Sequence, residues 1–368
     1  MALQHVPLFP PGSRACPYNY ENAEETIAAV REGGISLVLA GHYHKGFDPV
    51  TKDGVTYIAA AAFCESPFAF LEVRLEAGRE PEVIRHELRM PEGLPLAESH
   101  VHTELAYCAE HDLTAADAAD TARLCGVEDM AFAEHSGQLY FDRDTFWGAR
   151  FMSDGLQTRE GREDRMADYR ARTTALGLPR SRIGFEVDFD FQGRMVLEPA
   201  HRKEAGFLIG SYHWTPESAA REPFQAVRCI ERLRTIWGPM LASGIDVLAH
   251  PFRFFARQPD DPPPEIFREL AALLAASGVA AELNTHIELP YPQFVLACLE
   301  AGVRFSLGTD SHNLAEVAEF WPHLQLLRSL GVRDSEWDGI LWRPGLPVRG
   351  GGHPPVRPSS IPRSTKYR

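Results

Sequence analysis

The sequence lacks four features that each indicate a particular class of protein. It has no Cys-x-x-Cys pair among its six cysteines, no apolar run of the roughly 18 residues that a membrane span requires, and no basic-then-apolar signal pattern after Met1. An excess of basic residues is also absent, since 37 Lys and Arg face 51 Asp and Glu, which leaves a net charge of −14. These absences predict a cytoplasmic protein with reduced cysteines that binds neither membranes nor long nucleic acid.

The length of 368 residues and the 44% of hydrophobic residues are sufficient for a large core. Turn-forming residues at 90–95 and a Gly-, Pro- and Ser-rich end divide the chain into three predicted parts. These are a small α/β part over 1–90, a large domain over 95–344 and a disordered tail over 345–368. In the first part we predict a helix at 22–31 and strands at 35–40, 56–62 and 68–75.

In the large domain, short apolar runs alternate with segments of helical periodicity. The predicted strands are 96–98, 129–133, 182–187, 207–211, 245–249, 280–283 and 304–307, and the predicted helices are 115–125, 160–176, 224–241, 265–276 and 292–301. Glycines that stand after a helix and before a strand, such as Gly278 and Gly302, are typical helix C-caps. Seven strands that alternate with helices indicate a parallel sheet, and one long series of such units favours a barrel.

Nearly every predicted strand ends in a histidine, a glutamate or an aspartate. The candidate metal ligands are His100, His102, His111, His135, Glu186, His213, His250, Asp310 and His312. The active site of a (β/α) barrel lies at the carboxyl ends of its strands, where these side chains would meet. Imidazole and carboxylate groups suit Zn, Mn and Fe, and nine ligands exceed the needs of one ion. The set therefore predicts two to three divalent metal ions.

Six short motifs follow one another in the order His-Val-His, Glu-His-Ser, Phe-Glu-Val, Tyr-His-Trp, Ala-His-Pro and Thr-Asp-Ser-His. In this order they resemble the PHP family (polymerase and histidinol phosphatase). The resemblance implies a distorted seven-stranded (β/α) barrel and a metal-dependent phosphoesterase. The Cys-Ala-Glu-His spacing and the overall length are most similar to the histidinol-phosphatase branch.

The resemblance also implies roles for individual residues. The first metal would be held by His100, His102, Glu186 and Asp310, the second by Glu186, His213 and His250, and the third by His111, His135 and His312. Hydrolysis would proceed by attack of a hydroxide that bridges two cations, with Glu186 and Asp310 in the catalytic centre. Arg253 is the best candidate to orient the phosphate, with Arg150 and Arg257 as alternatives. Asp188 is a candidate partner for a ligand histidine, and His286 either lines the substrate pocket or lies at the surface.

A separate histidine motif lies in the first ninety residues. Gly41-His42-Tyr43-His44 follows a predicted strand, and His5 lies upstream. This pattern is similar to the C-terminal part of calcineurin-like metallophosphoesterases. The Asp-x-His and Gly-Asn-His motifs of that family are absent, and only four residues precede His5. The segment is therefore expected to be a relic without catalytic activity or the end of a longer two-enzyme chain.

The leading functional hypothesis is hydrolysis of a small phosphomonoester such as histidinol phosphate. A nucleotide-directed phosphoesterase or a 3′–5′ exonuclease of PHP type is an alternative, and a noncatalytic metal-binding module is another. The expected partner is a small phosphorylated metabolite. The sequence leaves the substrate, the native metal and the oligomeric state open.

Overall fold

The computed structural model describes residues 1–8, 18–63, 69–76, 78–79, 81–87, 90–256, 258–259, 261–287 and 290–345. The chain divides into two units, one made of residues 1–90 and 124–126 and the other of the remaining residues. Arg257, Phe68 and the predicted tail after Gly345 lie outside the described residues. In the described part of the chain, no helix combines the length and the apolar character that crossing a membrane requires.

The first unit contains one helix, a four-stranded sheet and a hairpin. Its elements are β1 (Ala2–Gln4), α1 (Ala23–Glu32), β2 (Leu37–Ala40), β3 (Phe47–Lys52), β4 (Val55–Ala59), β5 (Ala69–Arg74) and β6 (Glu82–Glu87). The sheet has the order β1-β2-β4-β3, in which only β3 is antiparallel to its neighbour, while β5 and β6 form an antiparallel pair. Val30, Val38 and Tyr57 are buried in the core of this unit.

The second unit is a mixed α/β domain with a curled sheet of six parallel strands. Its strands are β7 (Ala97–Glu98), β8 (Asp129–Met130), β9 (Phe132–His135), β10 (Ile183–Asp188), β11 (Leu208–Ser211), β12 (Val247–Leu248), β13 (Ala280–Asn284) and β14 (Phe305–Gly308). The six strands from β9 to β14 are neighbours in chain order, so each helical connection returns the chain to the next position in the sheet. Strands β7 and β8 form a separate parallel pair.

Eleven helices of the second unit connect or flank these strands. They are α2 (Ala115–Leu124), α3 (Ser136–Tyr140), α4 (Arg143–Trp147), α5 (Met166–Ala175), α6 (Pro199–Glu204), α7 (Pro216–Ala219), α8 (Ala226–Ala242), α9 (Pro264–Ser277), α10 (Pro292–Ala301), α11 (Trp321–Ser329) and α12 (Trp337–Ile340). The predicted glycine caps are confirmed for α9 and α10, since Gly278 and Gly302 adopt left-handed backbone conformations directly after these helices.

The segment 97–102 forms hydrogen bonds with both edges of the six-stranded sheet. On one side, the amides of Ala131 and Ala133 donate to carbonyl oxygens of this segment, at 2.8 and 3.0 Å. On the other side, its own amides donate to the carbonyl oxygens of Leu307 and Ser311, at 3.3 and 3.2 Å. The segment therefore lies between the first and the last strand of the sheet.

A buried carboxylate anchors this segment. Glu98 accepts hydrogen bonds from the amides of His100, Thr309 and Ala318 and from the hydroxyl of Thr309, at 2.7–3.3 Å. Burial raises the pKa of Glu98 to about 7, while these donors act in the opposite direction. The three hydrogen bonds from Thr309 and Ala318 join the beginning of the domain to the segment that follows β14.

The alternation of side chains along the strands places the candidate ligands above an apolar layer. Ala131 and Ala133 on one strand and Phe207 and Ile209 on another belong to one buried cluster, which Trp342 also joins. Because side chains two residues apart point to the same face of a strand, His135 lies on the same face as Ala133. The strands therefore carry packing residues first and chemically active residues at their carboxyl ends.

The structure contains helices or strands at all predicted positions, with ends that differ by a few residues. The largest difference is in the helix predicted at 160–176, which begins at Met166 in the structure. The predicted strand at 129–133 is interrupted between β8 and β9. The sequence prediction missed β1, β3 and β6, α11 and the five helices of four to six residues, because such short elements carry too few periodic positions.

His323 gives the fold a testable dependence on pH. Its ring is 1% exposed, and Nε2 lies 2.8 Å from the carbonyl oxygen of Leu283. Burial lowers its pKa to about 4, so the folded protein holds this ring neutral while the unfolded chain takes up a proton near pH 6.5. The contribution of the neutral His323 to the free energy of unfolding is therefore fully present above pH 6.5 and decreases as the pH falls toward 4.

We compare the free energy of unfolding of wild type with that of His323→Leu. Lowering the pH from 7 to 5 should reduce the wild-type value by about 2 kcal/mol relative to the variant, because only the wild type loses the contribution of a neutral His323. Urea unfolding at both pH values measures this difference. The exposed His111 provides the control in His111→Leu, which removes an imidazole from the surface and not from the core. An equal pH dependence of wild type and His323→Leu would contradict the prediction.

Candidate metal centre

The carboxyl ends of the parallel strands bring the candidate ligands together. His135 ends β9 and Glu186 lies in β10, where the two residues are direct register partners. His213, His250 and Asp310 each follow the last residue of a strand by two positions. Parallel strands begin and end in the same direction, so residues far apart in sequence meet at one edge of the sheet.

The carboxylate of Glu186 is the centre of this group. Its side chain is fully buried, and five imidazole rings, including that of His102 at 3.7 Å, lie within 4 Å of its two oxygens. Oε2 lies 2.5 Å from Nδ1 of His135 and 3.5 Å from Nε2 of His100. Oε1 lies 3.0 Å from Nε2 of His250 and 3.1 Å from Nε2 of His213. One acidic side chain is thus shared by rings from four different strand ends.

Several atoms of this group have no hydrogen-bond partner among the described residues. They are Oε2 of Glu186, Nε2 of His100, Nδ1 of His135, Nε2 of His213 and Nδ1 of His250. A buried polar atom without a partner costs about 1–3 kcal/mol, and native proteins contain few of them. Their convergence in one place fits residues that bind metal ions.

Five sets of side chains have potential ligand atoms within 4.8 Å of one another and share members with the predicted site. They are His100, His102, Glu186 and Asp310; Glu186, His213 and His250; His102, His135 and His312; His135, Asp188 and His213; and His286, His312 and Glu316. The first two are the sets that the family resemblance assigns to the first and second metals. The buried clusters could therefore hold metal ions.

His111 does not join the third set. Its side chain is exposed, and it belongs to no group of potential ligands in the described residues. Cys108 lies there instead, with Sγ 3.1 Å from Nε2 of His312 and 3.4 Å from Nε2 of His135. The chain turns after Cys108 and buries Leu113, which leaves His111 on the outer side of the turn.

Carboxylates contact the second nitrogen of three candidate ligand histidines. The pairs are Asp188 with Nδ1 of His213 (2.7 Å), Glu282 with Nδ1 of His100 (2.5 Å) and Glu134 with Nδ1 of His102 (3.2 Å). Such contacts fix the orientation and the tautomer of a metal-binding imidazole. The contact of Asp188 was expected from the sequence, whereas Glu134 and Glu282 were missed. Both are acidic residues inside apolar strands, which is the signal that would have identified them.

The protonation states suit cation binding. Burial alone raises the pKa of Glu186, but the nearby His135 and His213 outweigh it and hold the pKa well below its usual range. For Asp310, His100 and His102 outweigh burial in the same way and keep the pKa well below normal. Burial and the neighbouring His102 lower the pKa of His312 to about 3. Ionised carboxylates and a neutral His312 imidazole are the forms that coordinate metals. Burial lowers the pKa of His102, but Asp310 and Glu134 outweigh it and raise the pKa to about 9, so a cation would displace a proton from this ring.

Two candidate ligands have strained backbones. His250 has a φ of 23° and Asp310 a φ of 53°, values that side chains other than glycine rarely adopt. Such outliers cluster at functional sites, where the surrounding structure holds them. In a regular strand, His250 would point to the face opposite that of the buried Ala249. The unusual φ of His250 instead turns its ring toward Glu186.

A cleft of about 220 Å³ opens beside these residues. Its lining includes the aromatic side chains of Phe146, Trp147 and Trp214, together with Arg253 and His286. His286 therefore lines the cleft. Trp147 is 47% exposed although its ring contacts those of Phe146 and Trp214. The cleft offers a flat apolar wall next to the candidate ligands.

The arginines predicted to orient phosphate occupy different environments. Arg253 lies at the cleft with Nη1 3.5 Å from Nε2 of His250, and no carboxylate among the described residues lies within 4 Å of its guanidinium. Arg150 forms an ion pair with Glu160 and does not line the cleft. Arg257 is outside the described residues. Arg253 is therefore the cation that is placed to bind an anion.

The histidines of the first unit form a smaller contact. Nδ1 of His42 lies 3.0 Å from Nε2 of His5, and both side chains are exposed. His44 is exposed as well, and in the described residues of this unit no three potential ligands gather within 4.8 Å.

Asp188 tests whether the centre binds metal. We expect Asp188→Asn to weaken zinc binding by about 10–100-fold, because His213 loses the charged partner that orients it. Titration against a chromophoric chelator measures the affinity. Asp246→Asn is the matched control, since Asp246 accepts a backbone hydrogen bond at the other end of β11, from Leu208 at 2.9 Å. Equal zinc affinities in the two variants would argue against a metal-binding role of His213.

Comparison with known proteins assigns no family to the chain. No protein-family model matches the sequence, and no curated protein matches it. The relation to the PHP family therefore stays a prediction that rests on the quoted motifs.

Proposed function

We propose that the protein is a metal-dependent phosphoesterase that resembles the histidinol-phosphatase branch of the PHP family. The observation that carries this proposal is the position of Glu186, fully buried among imidazoles from four strand ends. We also propose that residues 97–102 complete a distorted seven-stranded barrel, because they form hydrogen bonds with both edges of the six-stranded sheet.

Two to three Zn, Mn or Fe ions are the proposed cofactors. The donors are imidazole nitrogens and carboxylate oxygens, which suit these ions, and Glu186 belongs to two of the ligand sets. The proposed location is the cytoplasm, where the described cysteines 108, 229 and 298 would remain reduced thiols.

Divalent cations at this centre would lower the pKa of water and offset the charge of a phosphate ester. The residues of the chain supply the remaining functions. Glu186 and Asp310 hold negative charge at the centre of the site, and Arg253 binds and orients the phosphate at its mouth. Asn284 donates to Asp310 through Nδ2 at 3.1 Å, which keeps that carboxylate aligned.

The substrate we propose is a small phosphomonoester. A cleft of about 220 Å³ suits a small metabolite rather than a polymer, and the net charge of −14 disfavours long nucleic acid. The exposed ring of Trp147 provides a surface on which a flat heterocycle can stack. Histidinol phosphate has such a ring, and so does a mononucleotide, which keeps a nucleotide-directed phosphoesterase as the second candidate.

We expect phosphate release from histidinol phosphate or p-nitrophenyl phosphate in the presence of Mn or Zn. Glu186→Gln should lower kcat by at least about a hundredfold, because the shared negative charge is lost. Steady-state phosphate release measures both values. The matched control replaces exposed imidazoles, in the double variant His42→Ala, His44→Ala, which should retain full activity. Undiminished turnover in Glu186→Gln would contradict the proposal. A strong loss of phosphate release in the control would show that residues 1–90 take part in the reaction.

Arg253→Ala should raise KM by about tenfold with a smaller change in kcat, because a charged hydrogen bond to phosphate contributes about 1.5–3 kcal/mol. Arg150→Ala is the matched control, since this arginine already pairs with Glu160. If the two variants have the same KM, Arg253 does not bind the phosphate.

A further inference from the structure

We propose that Cys108 is a ligand of the metal bound by His135 and His312, and that its thiolate makes this position selective for zinc over manganese. The inference rests on the proposed function only in taking the centre to be a metal site. It replaces the expected ligand His111, whose side chain is exposed.

The distances around the sulfur match those of a coordination site. Sγ of Cys108 lies 3.1 Å from Nε2 of His312 and 3.4 Å from Nε2 of His135. In a tetrahedral zinc site, bonds of about 2.3 Å to sulfur and about 2.05 Å to nitrogen place these two ligand atoms roughly 3.5 Å apart. The two sulfur–nitrogen distances are therefore close to those of a zinc site, whereas the two imidazole nitrogens that face the sulfur would have to approach each other to hold one ion.

The neighbours of His312 determine which of its nitrogens is available. Nδ1 lies 2.6 Å from the carbonyl oxygen of Asp310, which only accepts hydrogen bonds, so Nδ1 carries the proton. Nε2 then presents a lone pair to Sγ of Cys108. This is the arrangement of a metal-binding imidazole, in which one nitrogen is held by the backbone and the other faces the ion.

Gln138 orients a donor toward the sulfur. Its Oε1 accepts a hydrogen bond from the amide of Tyr107, so its NH₂ group points the other way, with Nε2 3.3 Å from Sγ of Cys108. Burial raises the pKa of the Cys108 thiol, and this donor acts in the opposite direction, toward the thiolate that coordinates metals. The sulfur therefore receives a hydrogen bond on one side and faces two imidazoles on the other.

His135 is held in place beside the sulfur. Its side chain is 5% exposed, its Nδ1 lies 2.5 Å from Oε2 of Glu186, and its Nε2 faces Cys108. The ring stacks on that of His102 at a centroid distance of 4.2 Å, so it cannot rotate freely. Together with His312, these rings form a buried set of potential ligands even without the sulfur.

The chemical consequence is metal preference. The other donors of the centre are imidazole nitrogens and carboxylate oxygens, which also accept Mn. A thiolate is a softer ligand that favours Zn and disfavours Mn. One position of the centre would thus be reserved for zinc, while the positions around Glu186 would remain able to accept either ion.

The test loads the purified full-length protein with Co²⁺ and records its absorption spectrum. A thiolate bound to Co²⁺ gives a sulfur-to-metal charge-transfer band in the near ultraviolet. We expect this band in wild type, its loss in Cys108→Ser and its retention in His111→Gln. Cys229→Ser is the matched control, since Cys229 is a buried cysteine in α8. Zinc binding at one position should be at least tenfold weaker in Cys108→Ser.

A second measurement needs no variant. Iodoacetamide should label Cys108 after metal removal with a chelator, and added Zn²⁺ should protect it at least tenfold more strongly than Mn²⁺ does. Mass spectrometry of the labelled peptide gives the extent. A band that persists in Cys108→Ser, or equal labelling with and without zinc, overturns the assignment.

These outcomes are separable from the failure of the proposed phosphatase. If Co²⁺ binds and Glu186→Gln abolishes phosphate release but wild type shows no charge-transfer band, the thiolate assignment alone is wrong. If the band is present and phosphate release is absent, the thiolate site stands without the proposed function. If the protein binds no divalent ion, both are wrong.

Discussion

The second unit depends on the contact between one buried carboxylate and the imidazoles around it. Glu186 is fully buried, yet its pKa lies well below the usual range because rings from four strand ends surround it. A charge in such a place is stable only when it is compensated, so each ring must be held within a few ångströms. The carboxylates of Asp188 and Glu282 do this from behind, by fixing the outer nitrogens of His213 and His100. The imidazoles hold Glu186, and the strands carry the carboxylates that hold the imidazoles.

Much of the site could be predicted from the sequence because each ligand lies at or just beyond the end of an apolar run. Strand periodicity and strand ends depend on local patterns, and these located Glu186, His250 and Asp310 without reference to the rest of the chain. His111 and Cys108 could not be distinguished in this way. Both lie in one short loop, and only the packing of Leu113 decides which of them faces inward. Loop conformation depends on contacts with distant residues, which a sequence pattern does not contain.

The limits of the fold prediction have a similar cause. The alternation of strands and helices indicated a parallel sheet, and the six-stranded sheet is observed. The link between its two edges rests on hydrogen bonds between segments about two hundred residues apart, such as those from the segment 97–102 to Leu307 and Ser311. Glu98 contributes to the same junction through three buried hydrogen bonds from Thr309 and Ala318, although nothing in its local sequence marks it as different from other acidic residues.

The register between β9 and β10 pairs Glu186 directly with His135. Because side chains alternate between faces, one inserted or deleted residue within either strand would move its ligand to the opposite face of the sheet. The loops after the strands carry no such restriction, and they bear Trp147, Trp214 and Arg253. Changes of length during evolution are therefore expected to accumulate in those loops, where they would alter which compounds fit the cleft while the centre around Glu186 stays the same.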